Sequence, residues 1–138
     1  MRPAIALACM LLATASLGQA EEAEIGSAQT IIDRQFKAFL ADDDATAYSY
    51  AAPNLQRIFP TVDAFMSMVR NGYPMVHRPQ SYAFGKVEEM EGGRIVQQVL
   101  IRGQDGKDYE AVYQLEPQAD GSYRIISVSL RAANALST

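Results

Sequence analysis

The chain has no tryptophan, one histidine and one cysteine in 138 residues. The cysteine is Cys9, inside the first 20 residues. A chain that loses that segment carries no thiol, which excludes disulfides, thiol nucleophiles and cysteine metal sites. Basic charge is also short. Twelve Lys and Arg stand against 16 Asp and Glu, a formal net charge of −4. An acidic balance repels phosphate backbones and anionic membrane surfaces, so nucleic acid is not an expected partner. After position 17 no apolar run is long enough to cross a bilayer. Gly-x-Ser-x-Gly, a Walker A sequence and Gly-x-Gly-x-x-Gly are all absent. Serine hydrolysis and nucleotide binding therefore have no sequence support.

What is present begins at the amino terminus. Arg2 is a positive n-region, and Ala4 to Leu17 is apolar and uncharged. Gly18-Gln19-Ala20 puts small residues at the −3 and −1 positions of a cleavage site. The apolar stretch is too short to span a membrane comfortably, and Glu21-Glu22 follows at once. Residues 1–20 are expected to be a secretory signal peptide cleaved after Ala20, with residues 21–138 forming a single domain. Lipidation at Cys9 fits poorly, because that cysteine precedes completion of the apolar stretch. Cleavage removes Arg2 and no acid, so the product becomes more acidic. It is expected to be soluble, periplasmic or secreted, with no membrane insertion after cleavage.

The remaining chain has a helical half and a strand half. Ser27 is placed to cap a helix running to about Leu40, with Ile32, Phe36, Phe39 and Leu40 on one face. A short helix follows Asp42-Asp43-Asp44 and ends before Pro53, its buried candidates being Ala45, Tyr48 and Ala52. Pro53 opens a turn or short helix carrying Leu55, Ile58 and Phe59. Another helix follows Pro60-Thr61, with Val62, Phe65, Met66 and Val69 as its stripe and Asn71-Gly72 as its stop. Between Pro74 and Pro79 the chain is expected to be extended.

After Pro79 the apolar period becomes two. Strands are predicted over Tyr82–Met90, Arg94–Arg102, Asp108–Glu116 and Ser122–Leu130, separated by short Gly-containing turns. In the third, Tyr109, Ala111, Tyr113 and Leu115 share one face. In the fourth, Tyr123 and Ile125 follow one register while Ile126, Val128 and Leu130 follow the other. A bulge near Ile125-Ile126 reconciles them. Short turns make neighbours antiparallel. The predicted fold class is α+β: N-terminal helices packed on a curved four-stranded antiparallel meander.

The stretches QFKAFLADDDATAYSYAAP, FPTVDAFMSMVRNGYPMVHRP and YQLEPQADGSYRIISVSL cover most of the domain. In their order and pattern the chain resembles an exported bacterial family, domain of unknown function 4864, within the nuclear-transport-factor-2-like superfamily of α+β cones. That resemblance implies a cone-shaped fold and brings no activity. In the wider superfamily the open end of the cone often holds an apolar pocket. Some relatives bind ligands there, some do acid–base chemistry, and many only dimerise.

Four groups of residues are candidates for chemistry. Asp42, Asp43 and Asp44 read as a helix N-terminus, with a cap and two acids at the positive end of the dipole. Calcium needs alternating ligands and a distal bidentate Glu, which consecutive acids do not supply. His77 titrates near neutral pH, and as a general base it needs an orienting partner such as Asp63 or a tyrosine. Met75 and His77 share a side in an extended segment and could hold copper, but Met66 and Met68, two apart on a helix, do not face the same way. Seven tyrosines include Tyr48, Tyr50, Tyr109 and Tyr113. Buried tyrosine hydroxyls seek partners and often line pockets, and Arg78 or Arg102 could meet an anionic ligand there.

No catalytic constellation emerges from these groups. The expectation is a non-enzymatic exported binding or interaction module, with no metal and no cofactor. It takes a small molecule or a protein at the cone's mouth through Tyr48, Tyr109, Tyr113 and His77. A second reading is a small acid–base isomerase or dehydratase using His77 and Asp63. A third is a structural homodimer, with Val99, Ile101 and Val112 as outer apolar positions of the sheet.

Overall fold

The computed structural model describes residues 16–133. Arg2, Cys9 and most of the apolar stretch lie outside the described residues. Helix α1 runs Ser16–Leu40. Ile32, Phe36 and Phe39 are buried at helical spacing, as read from the sequence, and Ala28 extends the stripe one turn earlier. Ser27 is not the cap. It is an exposed residue inside the helix. The strong helix formers around Glu21, Glu22 and Glu24 carry the helix past it and outweigh the cost of Gly26. Leu40 is 47% exposed rather than buried. It lies beyond the stripe, in the last residue before the chain turns.

That turn places Asp42 at φ 57, a left-handed conformation that Asp tolerates. Asp43 then caps α2 (Asp44–Ser49), its carboxylate accepting from the Thr46 N–H at 3.3 Å. This register buries Ala47 and leaves Ala45 exposed, the reverse of the expectation for Ala45. Ala51 next forms a parallel bridge to Ile125. The Ala52 N–H donates to Ile125 O at 2.8 Å, and the Ile125 N–H donates to Tyr50 O at 2.9 Å. Helix α3 (Pro53–Ile58) half-buries Leu55 but leaves Ile58 65% exposed. Helix α4 (Val62–Gly72) starts at Thr61, whose hydroxyl accepts from the Ala64 N–H at 3.0 Å. It buries Phe65, Met66 and Val69 as its stripe predicts.

The segment after α4 is not extended. Pro74 to His77 forms a one-turn helix, α5. Proline at a first helical position fits its fixed φ and missing donor. The steric rule for residues before proline still operates, one position earlier at each end. Tyr73 (φ −134, ψ 51) and Arg78 (φ −137, ψ 73) precede Pro74 and Pro79, and both are held out of the helical region.

The strands are β1 (Pro79–Glu89), β2 (Ile95–Gly103), β3 (Asp108–Pro117) and β4 (Tyr123–Ala132). They form one antiparallel meander in the order β1-β2-β3-β4. Leu115 pairs with Ile125 and Gln114 with Ser127, so Ile126 is the extra residue of a bulge where one was expected. A second bulge sits at Gly85-Lys86, opposite Gln98.

The inner face carries Ile95, Val99, Ile101, Ala111, Tyr113, Leu115 and Ile125, all buried. Helix α1 packs across it onto β1, β2 and β4, α3 rests on β4, and α5 covers β1 and β2. Val99 and Ile101 are therefore core residues, not outer ones. The outer face bears Val96, Leu100 and Val112 among Gln98, Arg102, Glu110 and Arg131, with Leu100 45% exposed. Of the proposed dimer positions only Val112 lies there.

Candidate functional site

Helices and sheet do not close completely on one another. Between them is a half-open cavity of about 60 Å³. Gln35 and Phe39 of α1 form one wall, and Leu55 of α3 with Phe65, Met68 and Val69 of α4 form another. Tyr73 and Val76 close one end, and Ala51, Ile125 and Val128 form the floor. The lining follows from the stripes above: each helix presents its apolar face to the sheet, and the cavity is where three such faces meet.

Only two lining residues carry polar side chains, and both are engaged. The Gln35 amide donates to Ala47 O at 3.0 Å. The Tyr73 hydroxyl donates to Val128 O at 3.2 Å. No carboxylate, histidine, lysine or arginine lines the cavity.

The residues singled out in the sequence lie elsewhere. None of Tyr48, Tyr109, Tyr113 and His77 lines this cavity. The Tyr48 hydroxyl donates to Phe59 O at 2.6 Å, and its ring packs on Phe65 with centroids 5.3 Å apart. Tyr109 sits at the β2–β3 hairpin and donates to Asp105 Oδ2 at 2.6 Å. Tyr113 is fully buried beside Phe36, with centroids 6.1 Å apart. Its hydroxyl has no hydrogen-bond partner among the described residues. Burial raises the pKa of that hydroxyl, with Tyr82 and Tyr73 adding to the effect.

His77 lies on α5, edge-on to Phe39 at a centroid distance of 5.9 Å. Its Nε2 is buried without a partner among the described residues. Burial pushes its pKa below the usual histidine value, and the cations of Arg78 and Arg70 push the same way. Asp42 and Asp44 oppose that shift. These are the carboxylates whose field His77 feels. Asp63 is exposed in the first turn of α4 and makes no hydrogen bond to His77. Met75 and His77 sit two apart on a helical turn, so the shared side that an extended segment gives them is lost.

Each acid of the triplet has its own partner. Asp43 is the cap, Asp42 pairs with Arg78, and Asp44 meets Arg70 at 3.1 Å. Arg78 also donates to the carbonyl of Phe39. Arg102 donates twice to Asp108, at 2.8 and 3.2 Å. Both arginines proposed to meet an anion are thus paired.

Residues 20–138 match the family described as Domain of unknown function (DUF4864). The chain belongs to the DUF4864 family. No curated protein and no solved structure matches it. Membership of DUF4864 covers the whole α+β domain and names no chemistry, so the site of this DUF4864 chain rests on its own geometry.

Two buried polar residues went unremarked in the sequence, Gln35 in the cavity wall and Gln97 of β2; the third buried polar residue, Glu110, is on the face of β3 that its alternation gives. Gln35 lies three positions after Ile32, on the buried stripe. Gln97 alternates with Ile95, Val99 and Ile101 at period two, and Glu110 opposes Leu100 on the outer face. A glutamine in register with core residues signals a buried, hydrogen-bonded amide.

Proposed function

We propose that this protein is an exported, non-enzymatic binding module whose ligand enters the cavity between helices and sheet. One observation carries the reading. The cavity is apolar and half-open, and its only polar side chains already have partners. Empty apolar space of this kind lowers stability, so an occupant from solution gains by filling it.

Export draws support from how α1 is used. Gly18 to Ala23 are all exposed, and the first core residue of the helix is Ala28. Cleavage after Ala20 therefore takes no buried side chain from Gly18–Ala20. Cleavage also turns Glu21, Glu22 and Glu24 into the first turn of α1, where acids favour the helix dipole.

The non-enzymatic reading is supported by the lack of a hydrogen bond between His77 and Asp63 among the described residues and by a cavity wall whose one titratable group, the Tyr73 hydroxyl, is bonded to Val128 O. Native mass spectrometry of the protein isolated from its own cells tests the reading. A native mass above the denatured mass, on a chain starting at Glu21, is the expected result. A bare native mass contradicts it.

A further inference from the structure

We infer that this cavity takes the end of an unbranched alkyl or acyl chain, and neither an aromatic ring nor a charged group. The inference rests on reading the cavity as the ligand site.

Charge is excluded by the lining. No carboxylate, histidine, lysine or arginine borders the space, and a charge buried there has nothing to pair with. The nearby cations Arg70 and Arg78 are held by Asp44 and Asp42. A polar head finds little to bind. The Gln35 amide and the Tyr73 hydroxyl are the only polar side chains of the lining, and each spends a donor on a backbone carbonyl, Ala47 O and Val128 O, so a head group is better placed in solvent. An aromatic ring is disfavoured by size. An apolar cavity that admits benzene measures roughly 150 Å³. The space here is about 60 Å³, which suits a chain end only a methylene wide.

Leu55 forms part of the wall, and Ile58 follows three positions later on the same face of α3. Ile58 is exposed, and it offers a surface for the methylenes that follow the buried end. Met68, an unbranched and adaptable side chain, lines the same cavity.

Methyl NMR titration of the purified protein with 1-hexanol and, separately, with benzyl alcohol tests this. The expected result is saturable shifts of the Leu55, Val69, Val76 and Val128 methyls with hexanol, and at least tenfold weaker binding of benzyl alcohol. Ala51→Val, which fills the floor, should abolish the hexanol response. Val69→Leu serves the same purpose if that variant fails to fold. Benzyl alcohol binding as tightly as hexanol at the same methyls overturns the chain-end inference and leaves the binding function standing. No shift with either probe also overturns it. In that case a bound mass in the native spectrum keeps the binding function and moves its site, whereas a bare mass removes both.

Discussion

Gln29 of α1 donates a hydrogen bond to Gln97 of β2 at 2.8 Å, joining the helix layer to the sheet through a fully buried amide. The other end of the Gln97 amide faces Gln98 O at 2.8 Å and the carbonyls of Gly85 and Lys86, each at 3.3 Å. Those last two carbonyls belong to the bulge in β1, where the ladder is broken. Gln97 thus supplies donors that the sheet itself does not. Gln97→Met keeps the volume and removes the hydrogen bonds. It should cost about 1–3 kcal/mol, because buried carbonyls and the Gln29 amide lose their partner. Urea unfolding reads this as a lower midpoint at unchanged slope. An unchanged midpoint would mean the bulge is satisfied without Gln97.

On the opposite face a second polar chain crosses all four strands. The Lys86 N–H donates to Gln98 at 2.9 Å, Gln98 donates to Glu110, and Arg131 donates to Glu110 from β4. Glu110 is only 5% exposed. Arg131, then Gln98, hold its carboxyl below the usual glutamate range, against the cost of its burial. A folded-state pKa below the unfolded one stabilises above the unfolded value, about 4.3 for glutamate. That stability is lost as pH falls through the folded value. Glu110→Gln should therefore show a shallower loss of Tm below about pH 4.3 than the wild type. Parallel acid limbs would show that Glu110 is not part of the acid sensitivity.

The order of elements and the face of β3 were readable from sequence because apolar period reports burial directly. The bulge at Ile126 was readable because two registers met in one strand. The start of α1 was not, since Ser27 has the chemistry of a cap but helix formers precede it. Nor was α5. The same two prolines that suggest an extended segment permit a single helical turn, and only packing against β1 and β2 selects between them. The face of β2 is ambiguous in the sequence at Val99 and Ile101 because Val96 and Leu100 give its outer register apolar residues too. The cavity was least legible of all. It is made by residues from four helices, two linkers and one strand, and no sequence period records where such faces fail to meet.

His77 gives a second pH signature. Burial, then Arg78 and Arg70, depress its pKa, so the folded chain binds its proton less readily than the unfolded chain. Stability is then full above the unfolded value, about 6.5, and falls as pH drops below it toward the folded value. His77→Phe should remove this loss below about pH 6.5. NMR titration of the His77 ring should give a midpoint below that of a free imidazole. A midpoint at or above it contradicts the account of the α5 environment.

Ala51 borders the cavity and lies in an extended bridge to Ile125, where a β-branched side chain is well accommodated. At roughly 24 cal/mol per Å³ of cavity volume, a void of about 60 Å³ lowers stability by on the order of 1 kcal/mol. Ala51→Val should recover part of that amount and raise Tm in the ligand-free protein. A lower Tm would mean the space is already occupied by side-chain motion or is too narrow for two methyl groups.

The central claim is that the ligand sits in this cavity. Native mass spectrometry of the wild type and Ala51→Val, isolated from the same cells, tests it most directly. The account predicts an extra bound mass on the wild type and none on the variant. A bare wild type, or equal bound mass on both, would contradict it.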